Sequence, residues 1–422
     1  MKIKTKIIER SSALLDLLYW LTVFGALARQ YLLLLTDSGK YMYRVLQAAK
    51  DEGLIAQKDI QIGSKRDKPV TYYCVTAKGL DVLSRSYDAL PKWASWVRYL
   101  VPPKKVVVTR EGTTNARAER YISIAGMSFI AALMGARTRV LSFENLGEVR
   151  KRVEKRRTAS ATTSALVAAV LTAQSETEQI ETDHISLTQS DIVFHDGFEV
   201  KQKISETIKN QEKLIRIGRY TGYIESPAIS ALTFVGERKG MTWSNYFHGA
   251  EQKAYGCFKT HYSTYGHNAS DVPGAIHGIM MVTNAKMFAD LYLDTMHVRK
   301  KERFAEQYTS FHVFPITNQG VELLEIFMHH RYESIEQSLV KQAEESGWSS
   351  GPDKKYPSLF PLTDQEGVPV MIGVLINTVK LNRLLKLVET FGIKYRILCY
   401  GWQQDYYRRV CDADLYYILP DL

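Results

Sequence analysis

Apolar residues recur at helical spacing through the first 50 residues of the chain. The pattern predicts a helix over Ser11–Trp20, which begins at a serine cap, and a second helix over Ala26–Leu35. A turn cluster at residues 36–39 precedes a third helix, whose apolar positions fall at i, i+3, i+4 and i+7 of one face. These positions are Met42, Val45, Leu46 and Ala49, and the polar face opposite them carries Lys40, Tyr41, Tyr43, Arg44 and Gln47.

The pattern changes from helix to strand after Gly53, which suits the left-handed conformation that often ends a helix. A first short strand is predicted after Leu54, and the β-branched and aromatic run Val70–Val75 predicts a second. Thr76 is placed to cap a short fourth helix that extends to Leu83. The loop between the strands, residues 63–69, is basic, and its cations are Lys65, Arg66 and Lys68.

This order of helix, Gly-Leu-Ile, strand, charged loop and strand resembles a winged helix-turn-helix. Residues 8–86 resemble the winged-helix domains of MarR- and PadR-type regulators and of plasmid replication-relaxation proteins from Gram-positive mobile elements. The resemblance implies double-stranded DNA as the partner, with the third helix in the major groove and the loop on phosphates. By position it assigns groove contacts to Lys40, Tyr41, Tyr43, Arg44 and Gln47, and wing contacts to Lys65, Arg66 and Lys68.

Two features keep alternatives open for this module. Ala48 stands where many such helices carry a further basic residue, which leaves base specificity undetermined. Some winged helices act only as platforms for other proteins, and the pattern alone does not distinguish that role from DNA binding.

Charge is unevenly distributed along the chain. The protein carries 55 Lys and Arg against 45 Asp and Glu, a formal net charge of +10. Residues 1–157 hold 29 of the basic and 14 of the acidic residues, whereas residues 158–422 hold 26 and 31. Such a concentration of positive charge predicts a polyanion partner for the front part of the chain. The run Arg150–Arg157 is interpreted as a second DNA-contacting segment, with a solvated basic helix as the alternative.

The middle of the chain is interpreted as a basic helical connector over residues 91–182. A long helix is predicted over Thr114–Ala136, and Gly126, Ala131, Ala132 and Gly135 would permit close approach of another helix, so we expect a homodimer contact there. The apolar segment within that helix is only 15 residues long, too short for a membrane span. Four cysteines without framework spacing and the lack of an export signal make the cytoplasm the expected compartment.

Beyond about residue 192, short β-rich runs alternate with helical patterns. Residues 219–234 predict two strands, and further strands are predicted over Ala275–Val282, Phe311–Ile316, Val368–Ile376, Tyr395–Tyr400 and Asp414–Leu419. Helices are predicted between them over Ala285–Met296, Thr317–His330, Val379–Thr390 and Trp402–Val410. This alternation predicts an α/β domain over residues 183–422 with a mixed or parallel sheet.

Candidate chemistry in this α/β domain is sparse. No Gly-rich phosphate loop follows a predicted strand. Asp191 precedes the Glu199-x-Lys201 triplet, an arrangement that metal-dependent nucleases of the restriction-endonuclease fold use to hold Mg²⁺. Asp196 precedes the same triplet, and Glu225 with residues 237–239 offers a second, similar set. Because Glu-x-Lys arises often by chance, surface salt bridges are the alternative.

Two further constellations are incomplete. Cys257, His261 and His267, with His248 nearby, are zinc-competent side chains that lack the paired spacing of a zinc site. They are therefore expected in a polar loop or edge. The adjacent pair His329-His330 lacks the intervening residue that the metal triad of a strand-transfer enzyme would need. Neither group predicts a bound cofactor.

The sequence thus predicts an α+β winged helix-turn-helix over residues 1–90, the basic connector, and a C-terminal α/β domain with a regulatory or partner-binding role. The expected function is a non-catalytic DNA-binding protein of a plasmid or conjugative element, controlling replication, transfer or transcription. A nuclease delivered to DNA by the winged helix is the competing hypothesis. Neither a cofactor nor a membrane contact is expected.

Overall fold

The computed structural model describes residues 12–60, 70–86, 115–138, 191–207, 220–236, 245–267, 274–292, 308–329, 332–345, 347–350, 356, 358–411 and 416–419. The chain divides into two compact units. The first comprises Met1–Arg156 with Ile316–Asn318, and the second comprises Arg157–Pro315 with Gln319–Leu422. Both mix helices with β-strands, so the protein belongs to the mixed α/β classes. The predicted domain boundaries at residues 90 and 182 lie outside the described residues and stay predictions.

The first described element of this unit is helix α1 (Ser12–Phe24), which ends four residues later than the sequence predicts. The expected second helix is partly wrong: its first residues form strand β1 (Leu27–Ala28), followed by the single turn α2 (Arg29–Leu32) and a 3₁₀ turn over Leu33–Leu35. Leu27 and Ala28 extend because they pair with Tyr73 and Tyr72 of a later strand. Tertiary hydrogen bonding here overrides the local helical pattern.

Helix α3 (Gly39–Asp51) forms as the apolar spacing predicts. Met42, Val45, Leu46 and Ala49 are buried, and each of the three larger side chains contributes about 1.5–3 kcal/mol when fully removed from water. The Ser38 side chain caps the helix by accepting a hydrogen bond from the backbone N–H of Tyr41 at 3.3 Å. The chain leaves α3 through Gly53 with φ +70°, as predicted for the residue after the helix.

Two antiparallel strands follow α3, namely β2 (Ile55–Ile60) and β3 (Val70–Val75), in register from Ile55↔Val75 to Ile60↔Val70. With β1 they form a three-stranded sheet in the order β1-β3-β2. Thr76 then caps helix α4 (Ala77–Ser86), because its hydroxyl accepts from the N–H of Gly79 at 3.1 Å. The predicted strand and cap are confirmed, and the helix extends three residues beyond Leu83.

Helix α5 (Asn115–Leu133) packs against α1, β1 and α2, and the short strand β4 (Arg137–Thr138) follows it. Phe129 of α5 meets Trp20 of α1 edge to face, with ring centroids 5.4 Å apart. A Cβ at Gly126 would lie 2.1 Å from the Tyr31 ring, so this glycine permits a close contact within the unit. The small residues from which we expected a homodimer contact are therefore occupied by intrachain packing, as Ala131 and Ala132 are also fully buried.

The second unit contains a sheet of mixed direction. Strands β5 (Val193–Asp196), β6 (Gly222–Glu225) and β7 (Ser230–Gly236) are antiparallel neighbours, whereas β7, β8 (His277–Val282) and β9 (Ser310–Pro315) run parallel. The helices associated with these strands are α6 (Gly197–Thr207), α7 (Asn245–Tyr262), α8 (Ala285–Tyr292), α9 (Asn318–His329) and α10 (Tyr332–Glu345). The mixed sheet agrees with the predicted class.

A second sheet follows, in the order β10 (Ser349–Ser350), β11 (Leu362–Thr363), β12 (Pro369–Ile372), β14 (Arg396–Tyr400) and β15 (Tyr416–Leu419). The single strand predicted over Val368–Ile376 is wrong. The extended segment ends at Ile372, and a separate strand, β13 (Ile376–Asn377), pairs with β9 of the mixed sheet. Helices α11 (Thr378–Phe391) and α12 (Gln404–Arg408) complete the unit.

The break in that strand coincides with Gly373. A Cβ at this position would lie 2.4 Å from the Ile397 side chain and 2.7 Å from the Tyr407 hydroxyl, so a larger residue would not fit. The apolar run alone could not reveal this change of sheet. Within the described ranges, no helix is both long enough and apolar enough to cross a lipid bilayer.

The close approach at Gly126 can be tested by Gly126→Ala. Alanine is favoured over glycine within helices by about 1 kcal/mol, yet overpacking against Tyr31 should lower the free energy of unfolding by about 1–3 kcal/mol. Gly256→Ala in α7 is the matched control, because a Cβ there meets nothing within 4 Å. Urea unfolding followed by circular dichroism compares the two. A Gly126→Ala protein as stable as the control would contradict the contact.

Candidate functional site

The polar face of α3 is exposed as the sequence predicts. Tyr41 and Tyr43 expose 43% and 52% of their surface, unusual fractions for large aromatic side chains. Lys40, Arg44 and Gln47 are exposed as well. Since the helix turns by about 100° per residue, positions 40, 44 and 47 align along one side with Tyr43 beside them. The structure thus brings together four of the five residues to which groove contacts were assigned, and Tyr41 is exposed about 100° further around the helix axis from Lys40.

The two cations of this face meet no counter-ion among the residues that the structure describes. Among the described residues, neither Lys40 nor Arg44 forms an ion pair or a side-chain hydrogen bond. Two other polar side chains of α3 are engaged: Lys50 donates to the Gln57 side chain at 3.1 Å, and Gln47 donates to Asp51 at 2.8 Å. The face therefore offers two cations, two aromatic side chains and an oriented carboxamide to a ligand.

The wing cations Lys65, Arg66 and Lys68 lie outside the described residues. The strands that lead into and out of their loop are described, and the pairing closes that loop between Ile60 and Val70. The start of α4 is held against the end of α3 by Lys78, which donates to the backbone carbonyl of Glu52 at 2.7 Å, and by Thr76, whose hydroxyl donates to the carbonyl of Gly53. These two contacts fix the backbone carbonyls of Glu52 and Gly53, where α3 leads into the hairpin.

A second cluster, in the second unit, was not recognised from the sequence. His195 at the end of β5 lies between two carboxylates: its Nδ1 is 3.0 Å from Oε1 of Glu199, and its Nε2 is 3.6 Å from Oε1 of Glu225. Lys203 joins the cluster 3.0 Å from Glu199. Glu225, whose side chain has no solvent exposure, also accepts hydrogen bonds from the Ser263 hydroxyl and from the N–H of Thr264 at 2.8 Å.

The charges in this cluster stabilise one another. Burial acts to lower the pKa of His195, but the contacts with Glu199 and Glu225 outweigh it and leave that pKa raised. Burial acts to raise the pKa values of both carboxyl groups, and their hydrogen bonds and the neighbouring positive charges leave them lowered. This charged triad joins β5, α6 and β6 in a largely buried polar network. Within the described residues, Nε2 of His195 makes no hydrogen bond and faces Glu225 at 3.6 Å.

The three nuclease candidates are not arranged as a nuclease site. Glu199 and Lys201 lie on α6 two residues apart, so they point about 200° away from each other around the helix axis. Glu199 contacts His195 and Lys203, whereas the Lys201 ammonium lies 5.9 Å from the centre of the Tyr220 ring. Asp191 is exposed before β5, and Asp196 caps α6 by accepting from the N–H groups of Phe198 and Glu199.

The zinc candidates lie on and beyond α7, which corrects their expected position in a polar loop or edge. Cys257 and His261 are one helical turn apart, and His267 follows the helix. Cys257 is partly buried, and burial raises the pKa of its thiol, which disfavours the thiolate that zinc requires. Among the described residues, no three His, Cys, Asp or Glu side chains are placed to hold a metal ion.

The charged triad predicts how the stability of the second unit depends on pH. A raised pKa in the folded state means that the stabilisation from His195 is complete below its unfolded value of 6.5 and is lost as pH rises through the folded value. The lowered pKa values of Glu199 and Glu225 mean that their stabilisation holds above 4.5 and is lost as pH falls through their folded values. The free energy of unfolding should therefore decline on both sides of this interval.

The variant His195→Gln should flatten the alkaline decline, because it removes the group that titrates there. Urea unfolding of the full chain at pH values from about 5 to 9 measures how the free energy of unfolding changes with pH. This slope, and not the absolute stability, is the quantity to compare. His261→Gln, at an exposed position of α7, is the matched control and should keep the wild-type slope. An unchanged alkaline slope in His195→Gln would refute the role of the triad.

Comparison of the chain with protein-family models, with curated proteins and with solved structures finds no match. Any functional assignment therefore depends on the geometry of the chain itself. Of the two clusters, the triad of His195 is largely buried. The polar face of α3 is exposed to solvent and carries two cations that have no ion-pair partner among the described residues. The face of α3 is accordingly the candidate binding site.

Proposed function

We propose that the first unit is a winged helix-turn-helix that binds double-stranded DNA through α3 and the loop after β2. The order α1-β1-α2-α3-β2-β3 and the sheet order β1-β3-β2 support this fold. The observation that carries the proposal is the exposed face of α3, whose two cations have no ion-pair partner among the described residues. An α-helix with its side chains is about 10–12 Å wide, which fits a major groove of about 12 Å.

Each part of the face has a role that its chemistry supports. Lys40, in the first turn of α3, adds its charge to the positive end of the helix and is suited to a phosphate. Arg44 lies one turn further along and presents a planar fork that matches the O6 and N7 acceptors of guanine. Tyr41 and Tyr43 offer apolar ring surface to thymine methyl groups. Lys65, Arg66 and Lys68 supply phosphate contacts from the wing, which carry no sequence information.

The charge distribution of the whole chain is consistent with this assignment. The excess of basic residues falls within residues 1–157, and the remainder is mildly acidic. We assign the second unit a regulatory role in which it binds a protein partner, with the expected setting a plasmid or conjugative element. Control of replication, transfer or transcription follows from DNA binding of this kind.

Replacement of Lys40 or Arg44 should separate phosphate contact from base contact. Lys40→Ala is expected to weaken binding about equally for all sequences and to reduce the slope of log affinity against log salt by about one. Arg44→Ala should cost about 1–3 kcal/mol and relax the preference at one base pair. Fluorescence anisotropy with a labelled duplex, selected from a random library by the wild-type protein, measures both.

Lys253→Ala, at an exposed lysine of α7 in the second unit, is the control for loss of one positive charge. This variant should leave the affinity for the selected duplex and the preference at each base pair unchanged. If Lys40→Ala and Arg44→Ala bind as the wild type does, the face of α3 is not the interface. If the protein selects no duplex, sequence-specific DNA binding is excluded. Cleavage of plasmid DNA with Mg²⁺ that Glu199→Ala abolishes would establish the nuclease hypothesis instead.

A further inference from the structure

Gln47 and Asp51 form a directed hydrogen bond on the exposed face of α3. Nε2 of Gln47 donates to Oδ1 of Asp51 at 2.8 Å, and both side chains are exposed. Gln47 continues the row that begins with Lys40 and Arg44, and Asp51 is the next position of the same row one turn further on. The hydrogen bond therefore lies along the side of the helix that would face the groove.

The carboxylate determines which way the carboxamide points. An ionised aspartate can only accept hydrogen bonds, so the atom of Gln47 that faces it must be the nitrogen. One N–H of Gln47 is used in this contact, which leaves a second N–H and the carbonyl oxygen of the same planar amide for a ligand. That remaining pair of one donor and one acceptor matches N7 and the N6 amino group of adenine in the major groove. Guanine offers two acceptors at the same place and cannot satisfy both atoms.

We propose that Gln47 recognises an adenine in the DNA target and that Asp51 is the positioning residue that orients its carboxamide. The inference rests on the proposed DNA binding by α3 and adds the identity of one base. Ala48 left the base specificity of this helix undetermined in the sequence, and the hydrogen bond between Gln47 and Asp51 supplies a determinant.

The position of Asp51 is otherwise unfavourable for a DNA-binding helix. A negative charge in the last turn of α3 opposes the helix dipole and repels phosphates. Among the described residues, Asp51 makes no ion pair, and the neighbouring Lys50 is directed to Gln57 instead. Its hydrogen bond to Gln47 also supports the helix, since side chains four residues apart are neighbours. The experiment must therefore separate orientation from charge and from helix stability.

Two substitutions at Asp51 make that separation. Asp51→Ala removes both the charge and the acceptor, whereas Asp51→Asn removes the charge but keeps a carbonyl oxygen that can accept from Gln47. Each variant is used in the full chain to select duplexes from a random library, and affinities for the best site and its single-base variants are then measured. Circular dichroism verifies that the helical content is unchanged.

The wild type and Asp51→Asn should prefer adenine at one position of the site, and Asp51→Ala should reduce that preference by about tenfold. Gln47→Ala should abolish it, and adding Asp51→Ala to Gln47→Ala should then change it no further. Both Asp51 variants should bind duplexes that lack this adenine more tightly than the wild type does, because one repulsive charge is lost.

Three results would overturn the inference. The first is an adenine preference that Asp51→Ala leaves intact, and the second is Asp51→Asn behaving as Asp51→Ala does. The third is a selected site in which Gln47→Ala changes the preference for adenine at no position. In all three cases, DNA binding that weakens on Arg44→Ala would leave the proposed function standing. Failure of the wild type to select any duplex would instead reject the proposed function together with the inference.

Discussion

Burial of one face of α3 is the constraint on which the proposed interface depends. Side chains on an α-helix are fixed relative to one another by its periodicity, so the withdrawal of Met42, Val45, Leu46 and Ala49 from water leaves the opposite residues facing solvent. Apolar contacts determine which face of α3 points into the core, and the exposed polar groups take no part in those contacts. A ligand can therefore meet a preformed surface, whose organisation requires no rearrangement of the core.

The first unit could be predicted from sequence to the extent that its structure is local. The spacing of apolar residues in α3, the glycine after it, the strand over Val70–Val75 and the cap at Thr76 are all properties of neighbouring residues. The prediction was wrong at Leu27 and Ala28 because their conformation is decided by Tyr72 and Tyr73, more than forty residues away. The positions of the wing cations, outside the described residues, stay predictions, as does DNA binding.

The triad of His195 illustrates why buried polar clusters are harder to predict. His195 and Glu199 are four residues apart, yet one ends a strand and the other begins a helix, so no single periodicity relates them. Glu225 lies thirty residues further on and reaches His195 only because β5 and β6 pair with His195 opposite Tyr223. Because Glu225 lies two residues beyond Tyr223 on β6, the register of this pair places it diagonally across from the His195 imidazole. Sequence reasoning instead grouped Glu199 with Lys201, from which the helix separates it.

The chain crosses from one sheet of the second unit to the other at Gly373, and this short crossing affects how the unit unfolds. Only three residues separate β12 of one sheet from β13 of the other, and the backbone N–H of Gly373 is itself bonded to the carbonyl of Leu398. Neither sheet can lose its strand without pulling on the other. The two sheets are thus joined by a connector too short to act as a hinge, and we expect them to unfold together as one cooperative block, or foldon.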